Sequence, residues 1–216
     1  MSRGLFITFE GSEGCGKSTQ LQRLADRLRA GHREVIVTRE PGGTEIGEQL
    51  RHLLQFSAAG HGMSPETELL LFTASRAQLV RELIQPALAR GAIVLADRFL
   101  DSTTVYQGVA RRLDPAQVAA INTFAVGDCL PSLTFLLDLA PAEARLRMNR
   151  RGQPAGAPDR MESQPAAFYD AVRDGYLRLA ATTPRIRLLD ASLPVDVLEA
   201  EIWHQVSAVL SAEGKT

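Results

Sequence analysis

The chain has 216 residues, of which 45% are hydrophobic and 23% charged, a balance typical of one globular domain rather than a disordered segment. Its formal net charge of −1 provides no overall attraction for a nucleic acid polymer or a membrane surface, and the apolar run at 5–9 is too short to span a membrane. The two cysteines, Cys15 and Cys129, form neither a metal-ligand spacing nor a disulfide framework, which is typical of a reducing cytoplasm.

Short apolar runs alternate with helical patterns along the chain. Buried parallel strands are predicted, from β-branched runs that are apolar on both faces, at 5–9, 34–38, 92–96, 133–137 and 185–189. Apolar residues at helical spacing predict helices at 17–30, at 65–90, after an Asp114 N-cap and at 195–209. The alternation predicts an α/β fold, a five-stranded parallel sheet with helices on both faces, and ligands beyond the carboxyl ends of its strands.

Residues 11–18 carry the clearest chemical pattern. They read Gly-Ser-Glu-Gly-Cys-Gly-Lys-Ser and match the phosphate-binding P-loop G-x-x-x-x-G-K-[ST], between a predicted strand and a predicted helix. The glycines let successive backbone N–H groups turn towards a phosphate, and the helix N-terminus adds a partial positive charge. Lys17 can reach the β- and γ-phosphates of ATP, and the Ser18 hydroxyl can bind Mg²⁺. The residues expected to bind the nucleotide are Gly11, Ser12, Glu13, Gly14, Cys15, Gly16, Lys17, Ser18 and Thr19.

A P-loop alone leaves several classes of protein open. The Asn-Lys-x-Asp motif with which GTPases read their base is absent from the sequence, and the chain is short for a motor or a transporter ATPase. A small-molecule kinase is therefore the leading class. The alternatives are a kinase for another monophosphate or a small alcohol, and a nucleotide-binding regulatory module without catalysis.

Two charged clusters follow predicted strands. Arg39 begins the segment Arg-Glu-Pro-Gly-Gly after the second strand, and Asp97 and Arg98 follow the third. Both clusters are expected at the carboxyl edge of the sheet, near the P-loop. An arginine there can hold a phosphate through two hydrogen bonds, and Asp97 can hold Mg²⁺ through water. The alternatives are a structural ion pair between Asp97 and Arg98 and a solvated Arg39.

Several motifs occur together in an order and spacing more specific than the P-loop alone. They are the P-loop with its acidic residue, Arg-Glu-Pro-Gly-Gly at 39–43, Leu-Leu-Phe-x-Ala-x-Arg at 70–76, Asp-Arg-Phe-x-Asp-Ser at 97–102 and Tyr-Gln-Gly at 106–108. The combination extends from Phe6 to Ala191 and resembles the bacterial thymidylate kinase family. The resemblance implies a three-layer P-loop NTPase fold and the reaction ATP + dTMP → ADP + dTDP with Mg²⁺, in dTTP biosynthesis. It also implies a homodimer.

The resemblance gives roles to the residues that match the family's acceptor site. It implies Glu13 at the sugar, Arg39 and Arg98 at the phosphate, Phe72 stacked on thymine, Arg76 at its carbonyl edge, Thr103 and Gln107 at polar groups of the base, and Tyr106 beside C2′ of the sugar. Without the resemblance, Phe72 and Tyr106 would be interpreted as packed aromatic residues and Arg76 as an exposed helix charge.

An arginine-rich helix precedes a stretch at 152–158 that is rich in Gly and Pro, and together they predict a lid at about 145–162 of a single domain, 1–216. The resemblance agrees, because Asp-Arg-Met-Glu at 159–162 matches the end of the family's lid. The stretch at 153–158 is longer than expected and leaves open which lid arginine docks.

The lid helix contains four arginines, Arg145, Arg147, Arg150 and Arg151. The last three are three or four residues apart and share a face, where their mutual repulsion favours an anion. A solvated helix face is the alternative. Phosphoryl transfer needs positive charge on the transferred group, and the resemblance implies that a lid arginine supplies it. The expected catalytic residues are Lys17, Asp97, Arg98, Arg147 and Arg151.

Overall fold

A computed structural model describes residues 4–60, 62–151, 160–161 and 163–212. The strands among them are β1 Phe6–Glu10, β2 Val35–Arg39, β3 Ile93–Asp97, β4 Leu133–Asp138 and β5 Ile186–Asp190. They form one parallel sheet in the order β2-β3-β1-β4-β5, which puts β1 and the P-loop after it at the centre. The predicted α/β class and five-stranded parallel sheet are confirmed.

Helices connect the strands and cover the sheet. Their ranges are α1 Lys17–Ala30, α2 Glu45–Gln55, α3 Pro65–Leu79, α4 Gln85–Ala89, α5 Leu100–Thr103, α6 Pro115–Val126, α7 Pro141–Arg151, α8 Ala166–Thr182 and α9 Val195–Ala212. Thr44, Ser64 and Asp114 cap α2, α3 and α6, each accepting a hydrogen bond from the backbone N–H three residues later. No helix of the described residues is long and apolar enough to cross a membrane.

The three central strands of the sheet, β1, β3 and β4, are buried on both faces. Ile7 and Phe9 of β1 pack with α1 and α9, whereas Phe6 packs with α3 and α4 on the opposite face. Successive side chains of a strand point to opposite faces, so a strand covered on both faces is largely apolar; the buried Thr8 and Thr134 hydroxyls hydrogen-bond to each other. This explains why the strands appear in the sequence as continuous apolar runs.

Every strand extends one residue beyond its predicted end, and that last residue is charged. The five terminal residues are Glu10, Arg39, Asp97, Asp138 and Asp190. A charged residue at the end of an apolar run is typical of the start of a loop, although the backbone of each of these residues still pairs with the neighbouring strand. The carboxyl edge of the sheet is consequently lined with ionisable side chains.

The helix predicted at 65–90 contains a π-helical turn. Between α3 and α4, at Val80–Ile84, the backbone N–H of Gln85 donates to the carbonyl of Val80, five residues earlier. Pro86 follows directly and lacks the N–H that would continue an α-helical pattern. The helix is therefore continuous in direction but changes its hydrogen-bond register before the proline.

A second π segment extends α5 at Thr104–Ala110. The N–H of Arg111 donates to the carbonyl of Tyr106 at 2.9 Å, five residues earlier. Thr103, Tyr106 and Gln107 line the same cavity.

A buried polar network joins the centre of the sheet to the start of α5. Arg185, just before β5, donates to the two carboxylate oxygens of Asp101 at 2.7 and 2.8 Å and to the Thr134 hydroxyl at 2.7 Å. The Thr134 hydroxyl lies 2.7 Å from that of Thr8. Because the side chain of Asp101 is buried, Arg185 compensates a charge that water cannot reach.

We expect Arg185→Met to lower the free energy of unfolding by about 3–5 kcal/mol, because it leaves the Asp101 carboxylate buried without its cation. Arg187→Met is the matched control two residues along the chain, since Arg187 is exposed and its loss is expected to cost less than about 1 kcal/mol. Urea unfolding of both variants measures the difference. Equal losses would contradict the structural role of the Arg185 pair.

Candidate active site

Two adjoining cavities lie at the carboxyl edge of the sheet. The wide cavity, of about 250 Å³, is bordered by the P-loop and by the ends of β2 and β3. The narrow cavity, of about 40 Å³, extends towards α3 and α5 and contains Phe72 and Tyr106 in its lining. The residues that line both are Glu13, Glu40, Gln55 and Arg98. The arrangement suits a ligand with a charged end in the wide cavity and a flat ring in the narrow one.

The P-loop turns its backbone towards the wide cavity through glycines with left-handed conformations. Gly14 and Gly16 have φ of 76° and 97°, and a Cβ at Gly14 would lie 2.7 Å from the carbonyl oxygen of Ala144. The expected nucleotide residues that line the cavity are Glu13, Gly14, Gly16, Lys17, Ser18 and Thr19. The side chains of Ser12 and Cys15 are buried, so these two residues can contribute only their backbone groups.

The Lys17 side chain is buried within the P-loop. Its side chain is 6% exposed, and Nζ donates to the carbonyl oxygens of Gly11 at 3.2 Å and Ser12 at 2.9 Å. To reach a phosphate, the ammonium group must exchange these carbonyl oxygens for phosphate oxygens.

Ser18 and Asp97, the two expected magnesium residues, lie together at the wide cavity. The Ser18 hydroxyl donates to Oδ2 of Asp97 at 2.6 Å. Mg²⁺ takes oxygen ligands, and in phosphoryl-transfer sites it keeps water and phosphate oxygens besides one or two protein oxygens. The pair fits such a site. The described residues contain no cluster of three or more His, Cys, Asp or Glu that could hold a metal ion without phosphate.

Arg98 lies between the two cavities and is held from several sides. Its Nη2 donates to Oε1 of Glu13 at 2.5 Å and to the Tyr106 hydroxyl at 3.2 Å. Its Nη1 donates to the hydroxyls of Ser102 at 3.0 Å and Tyr176 at 3.3 Å. Burial alone would raise the pKa of Glu13, but the charges of Arg98 and then Lys17 outweigh it and lower the pKa to about 2. Glu13 is therefore ionised at neutral pH.

Two further arginines line the wide cavity. Arg39, at the end of β2, is 56% exposed and donates to the Glu48 carboxylate at 3.0 and 3.1 Å. Arg51 of α2 donates to the carbonyl of Pro41 at 3.0 Å. No sequence motif marks Arg51 and Gln55, although they lie four residues apart on the helix that follows the Arg39 segment and so share a face.

Six of the expected acceptor residues line the narrow cavity: Glu13 and Arg98, which it shares with the wide cavity, and four more. Its lining includes Phe72 from α3, and Thr103, Tyr106 and Gln107 from α5 and its π extension. The ring of Phe72 is half-buried, and Gln107 is almost fully buried. An aromatic wall opposite polar side chains can hold a flat heterocycle by stacking and hydrogen bonds.

Arg76 lies behind the wall of this cavity and does not line it, contrary to expectation. Its side chain is 1% exposed. Its guanidinium donates to the Glu40 carboxylate at 2.5, 2.8 and 3.1 Å. It also donates to Thr103 at 3.0 Å, Asn122 at 2.8 Å and the carbonyl of Phe99 at 3.1 Å. Every guanidinium nitrogen therefore has a protein acceptor. The arrangement makes Arg76 a support for Glu40 and Thr103 rather than a group free to meet a ligand.

The lid arginines belong to α7. Arg147 donates to the carbonyl of Ala191 at 2.9 Å and to Glu143 at 2.7 Å, so it must leave both to meet a phosphate. Arg145 and Arg150 are exposed. The side chain of Arg151, residues 152–159 and Glu162 lie outside the described part of the chain.

Arg160 and Met161, at the end of the expected lid, contact the rest of the site. The Nε of Arg160 donates to the carbonyl of Leu54 at 2.9 Å, and its backbone N–H donates to that of Gln55 at 3.0 Å. Its Nη2 lies 2.7 Å from Oε2 of Glu68. Met161 lines the narrow cavity, so the end of the lid forms part of its wall.

Comparison with known proteins identifies the family. The family model described as thymidylate kinase matches residues 9–202 of this 216-residue chain. The chain belongs to the thymidylate kinase family. The resemblance inferred from the motifs is thereby confirmed.

Relatives and solved structures agree with the family match over nearly the whole chain. The thymidylate kinase of Deinococcus radiodurans is 50% identical over 208 residues, 96% of this chain and 98% of the relative. That of Pseudomonas fluorescens is 48% identical over 208 residues, 96% of this chain and 95% of the relative. The crystal structure of thymidylate kinase from Ehrlichia chaffeensis has a TM-score of 0.75 at 32% identity, and the match covers 95% of this chain and 99% of that one.

We expect the pKa of Glu13 to rise from about 2 towards its ordinary 4.5 in Arg98→Met, because the nearest cation is removed while Lys17 still opposes the effect of burial. The lowered pKa in the wild type contributes stability above pH 4.5, and this contribution is lost as the pH falls from 4.5 towards 2. NMR titration of ¹³C-labelled glutamate carboxyl groups measures both values, with Arg187→Met as the control. A pKa that stays near 2 in Arg98→Met would contradict the assigned ion pair.

Proposed function

We infer that this chain transfers the γ-phosphoryl group of ATP to dTMP, forming ADP and dTDP. The observation that carries this inference is the position of Arg98, which borders both a P-loop cavity and an aromatic-lined cavity. A nucleoside monophosphate that extends between them places its phosphate at Arg98 and its base beside Phe72. Membership of the thymidylate kinase family supports dTMP as that monophosphate.

We assign the donor phosphates to residues 11–19, with Lys17 on the β- and γ-phosphates. Ser18 and Asp97 would hold Mg²⁺, which when bound neutralises charge on the phosphate oxygens. The backbone N–H groups around Gly14 and Gly16 orient the same oxygens. Transfer in line from one phosphate to the other needs no covalent enzyme intermediate, because positioning and charge neutralisation suffice.

We assign the acceptor to the groups around Arg98. Arg98 and Arg39 hold the monophosphate, and Arg51 joins them from α2. The ionised Glu13 is placed to accept a hydrogen bond from the sugar. Phe72 stacks on the base, while Thr103 and Gln107 meet its polar groups and Tyr106 lies beside C2′. Arg76 acts through Glu40 and Thr103 as a positioning residue.

We assign the additional positive charge to the lid. Arg147 is the described candidate, and its bond to the carbonyl of Ala191 keeps it beside the loop after β5 until it moves. Arg151 stays the second candidate by sequence alone. The division of the single domain into a body and a lid at about 145–162 also stays a prediction.

A homodimer is supported by an exposed apolar surface. Phe124 of α6 is 87% exposed, and Leu70 of α3, a helix that packs against α6, is 55% exposed. Large apolar side chains on neighbouring helices mark a surface for a protein partner. We propose a second copy of the chain as that partner. The cytoplasmic location stays a prediction from the sequence.

A coupled assay of ADP release tests the proposed reaction with dTMP, dUMP, CMP, GMP and AMP. We expect dTMP to give the highest kcat/KM, with dUMP lower by about 10–200-fold for the missing methyl group. Lys17→Met should lower kcat by at least about 10²-fold, because a donor to the developing charge is lost, while Arg187→Met should not. ATP binding without ADP release would favour the regulatory module, and a preference for another monophosphate would favour the rival kinase.

Tyr106 should exclude a 2′-hydroxyl by the bulk of its ring. We expect wild type and Tyr106→Phe to prefer dTMP over ribo-TMP by up to roughly 10²-fold, the limit for apolar exclusion of a hydroxyl. Tyr106→Ala should lose this preference, mainly through a gain for ribo-TMP. Measured kcat/KM values for both nucleotides decide the point. A preference that persists in Tyr106→Ala would mean that the sugar is read elsewhere.

A further inference from the structure

Glu68 of α3 is a buried carboxylate with several donors around it. Its side chain is 1% exposed. Oε1 accepts from Nε2 of Gln107 at 2.8 Å and from Nε of Arg111 at 3.1 Å. Oε2 accepts from Nη2 of Arg111 at 3.1 Å and lies 2.7 Å from Nη2 of Arg160. No role for Glu68 follows from the sequence motifs.

Glu68 is held in its ionised form. Burial alone would raise the pKa of Glu68, but hydrogen bonds from Arg111 and Gln107, together with the charges of Arg111 and Arg160, outweigh it and lower the pKa. An ionised carboxylate accepts hydrogen bonds and cannot donate one.

This chemistry fixes the orientation of the Gln107 amide. Only the NH₂ group of the amide can face Glu68, because its oxygen would be repelled by the carboxylate. Gln107 also lines the narrow cavity. With one N–H of Nε2 committed to Glu68, Oε1 is the acceptor that the amide keeps for a ligand there.

We propose that Glu68 is a positioning residue for base selection: it holds the Gln107 amide so that Oε1 meets a ring N–H of the acceptor base and repels a ring nitrogen with a lone pair. The inference rests on the proposed function. Thymine carries an N–H at ring position 3, whereas a cytosine carries a lone pair there. The pocket would therefore distinguish thymine from cytosine by whether the base donates a hydrogen bond to Gln107, and Glu68, which does not line the cavity, would fix Gln107 as the acceptor.

Turnover of dTMP and 5-methyl-dCMP tests the inference, because both carry the methyl group and differ only along the edge that is read. In Glu68→Gln the side chain at position 68 can donate as well as accept, so the Gln107 amide is free to turn over. We expect the dTMP preference in kcat/KM to fall by about tenfold or more, since one hydrogen bond is no longer directed. Glu66→Gln, an exposed change on the same helix, should leave the preference within about twofold.

A double-mutant cycle separates base selection from simple support of the fold. Gln107→Met removes the amide and should itself lower the dTMP preference. Adding Glu68→Gln to Gln107→Met should leave the preference unchanged within about twofold, if Glu68 acts through that amide. A Glu68→Gln variant that lowers kcat/KM equally for both nucleotides would overturn the inference.

The outcome stays decidable if Glu68→Gln does not fold. Glu68→Asp then decides, because it keeps the charge that pairs with Arg111 but shortens the side chain that reaches Gln107: a lowered dTMP preference supports the inference, and the full preference overturns it. Failure of the proposed function is a separate result, since wild-type protein would then not phosphorylate dTMP at all.

Discussion

The ion pair between Arg98 and Glu13 is the interaction on which the candidate site depends. Arg98 has φ of 72°, and a left-handed conformation costs a non-glycine residue roughly 1–2 kcal/mol. Its backbone N–H donates to the carbonyl of Phe9 at 2.9 Å, and its guanidinium is held by side chains from the P-loop, α5 and α8. The strained residue is thus fixed at both ends. It points one cation at the junction of the two cavities, where a monophosphate has to lie.

The fold could be predicted from the sequence because its information is local. A parallel strand covered on both faces is largely apolar at successive positions, and five such runs separated by helical patterns admit few architectures. The predicted strands all end one residue too early, for one reason. Asp97 and Asp138 belong to their strands by backbone pairing, which a pattern of side chains does not report. The π turn before Pro86 escaped prediction because it changes hydrogen-bond register without interrupting the helix.

The site could be predicted only in part. The P-loop is contiguous, and Arg39 and Arg98 follow strands whose ends converge, so local reasoning places them. Arg76 shows the limit, because its carboxylate partner, Glu40, is 36 residues away and turns an apparent ligand group into a buried support. Glu68 pairs with residues 39 and 43 positions away, and no spacing in the sequence announces such contacts. The family resemblance names the residues at the cavity but not the partners that orient them.

The π segment at Thr104–Ala110 has a consequence for how the chain can vary. Each residue of an α-helix advances the chain by about 100°, so one inserted or deleted residue re-aims everything beyond it by about that angle. Tyr106 and Gln107 face the cavity, while Asn122 on the next helix accepts from Arg76. Losing one residue here would convert the wide turn into an α-helical one and remove the local backbone arrangement in which Tyr106 and Gln107 both line the cavity. The number of residues in this segment is therefore more tightly constrained than the choice of its exposed side chains. Natural variants should carry substitutions here rather than insertions or deletions.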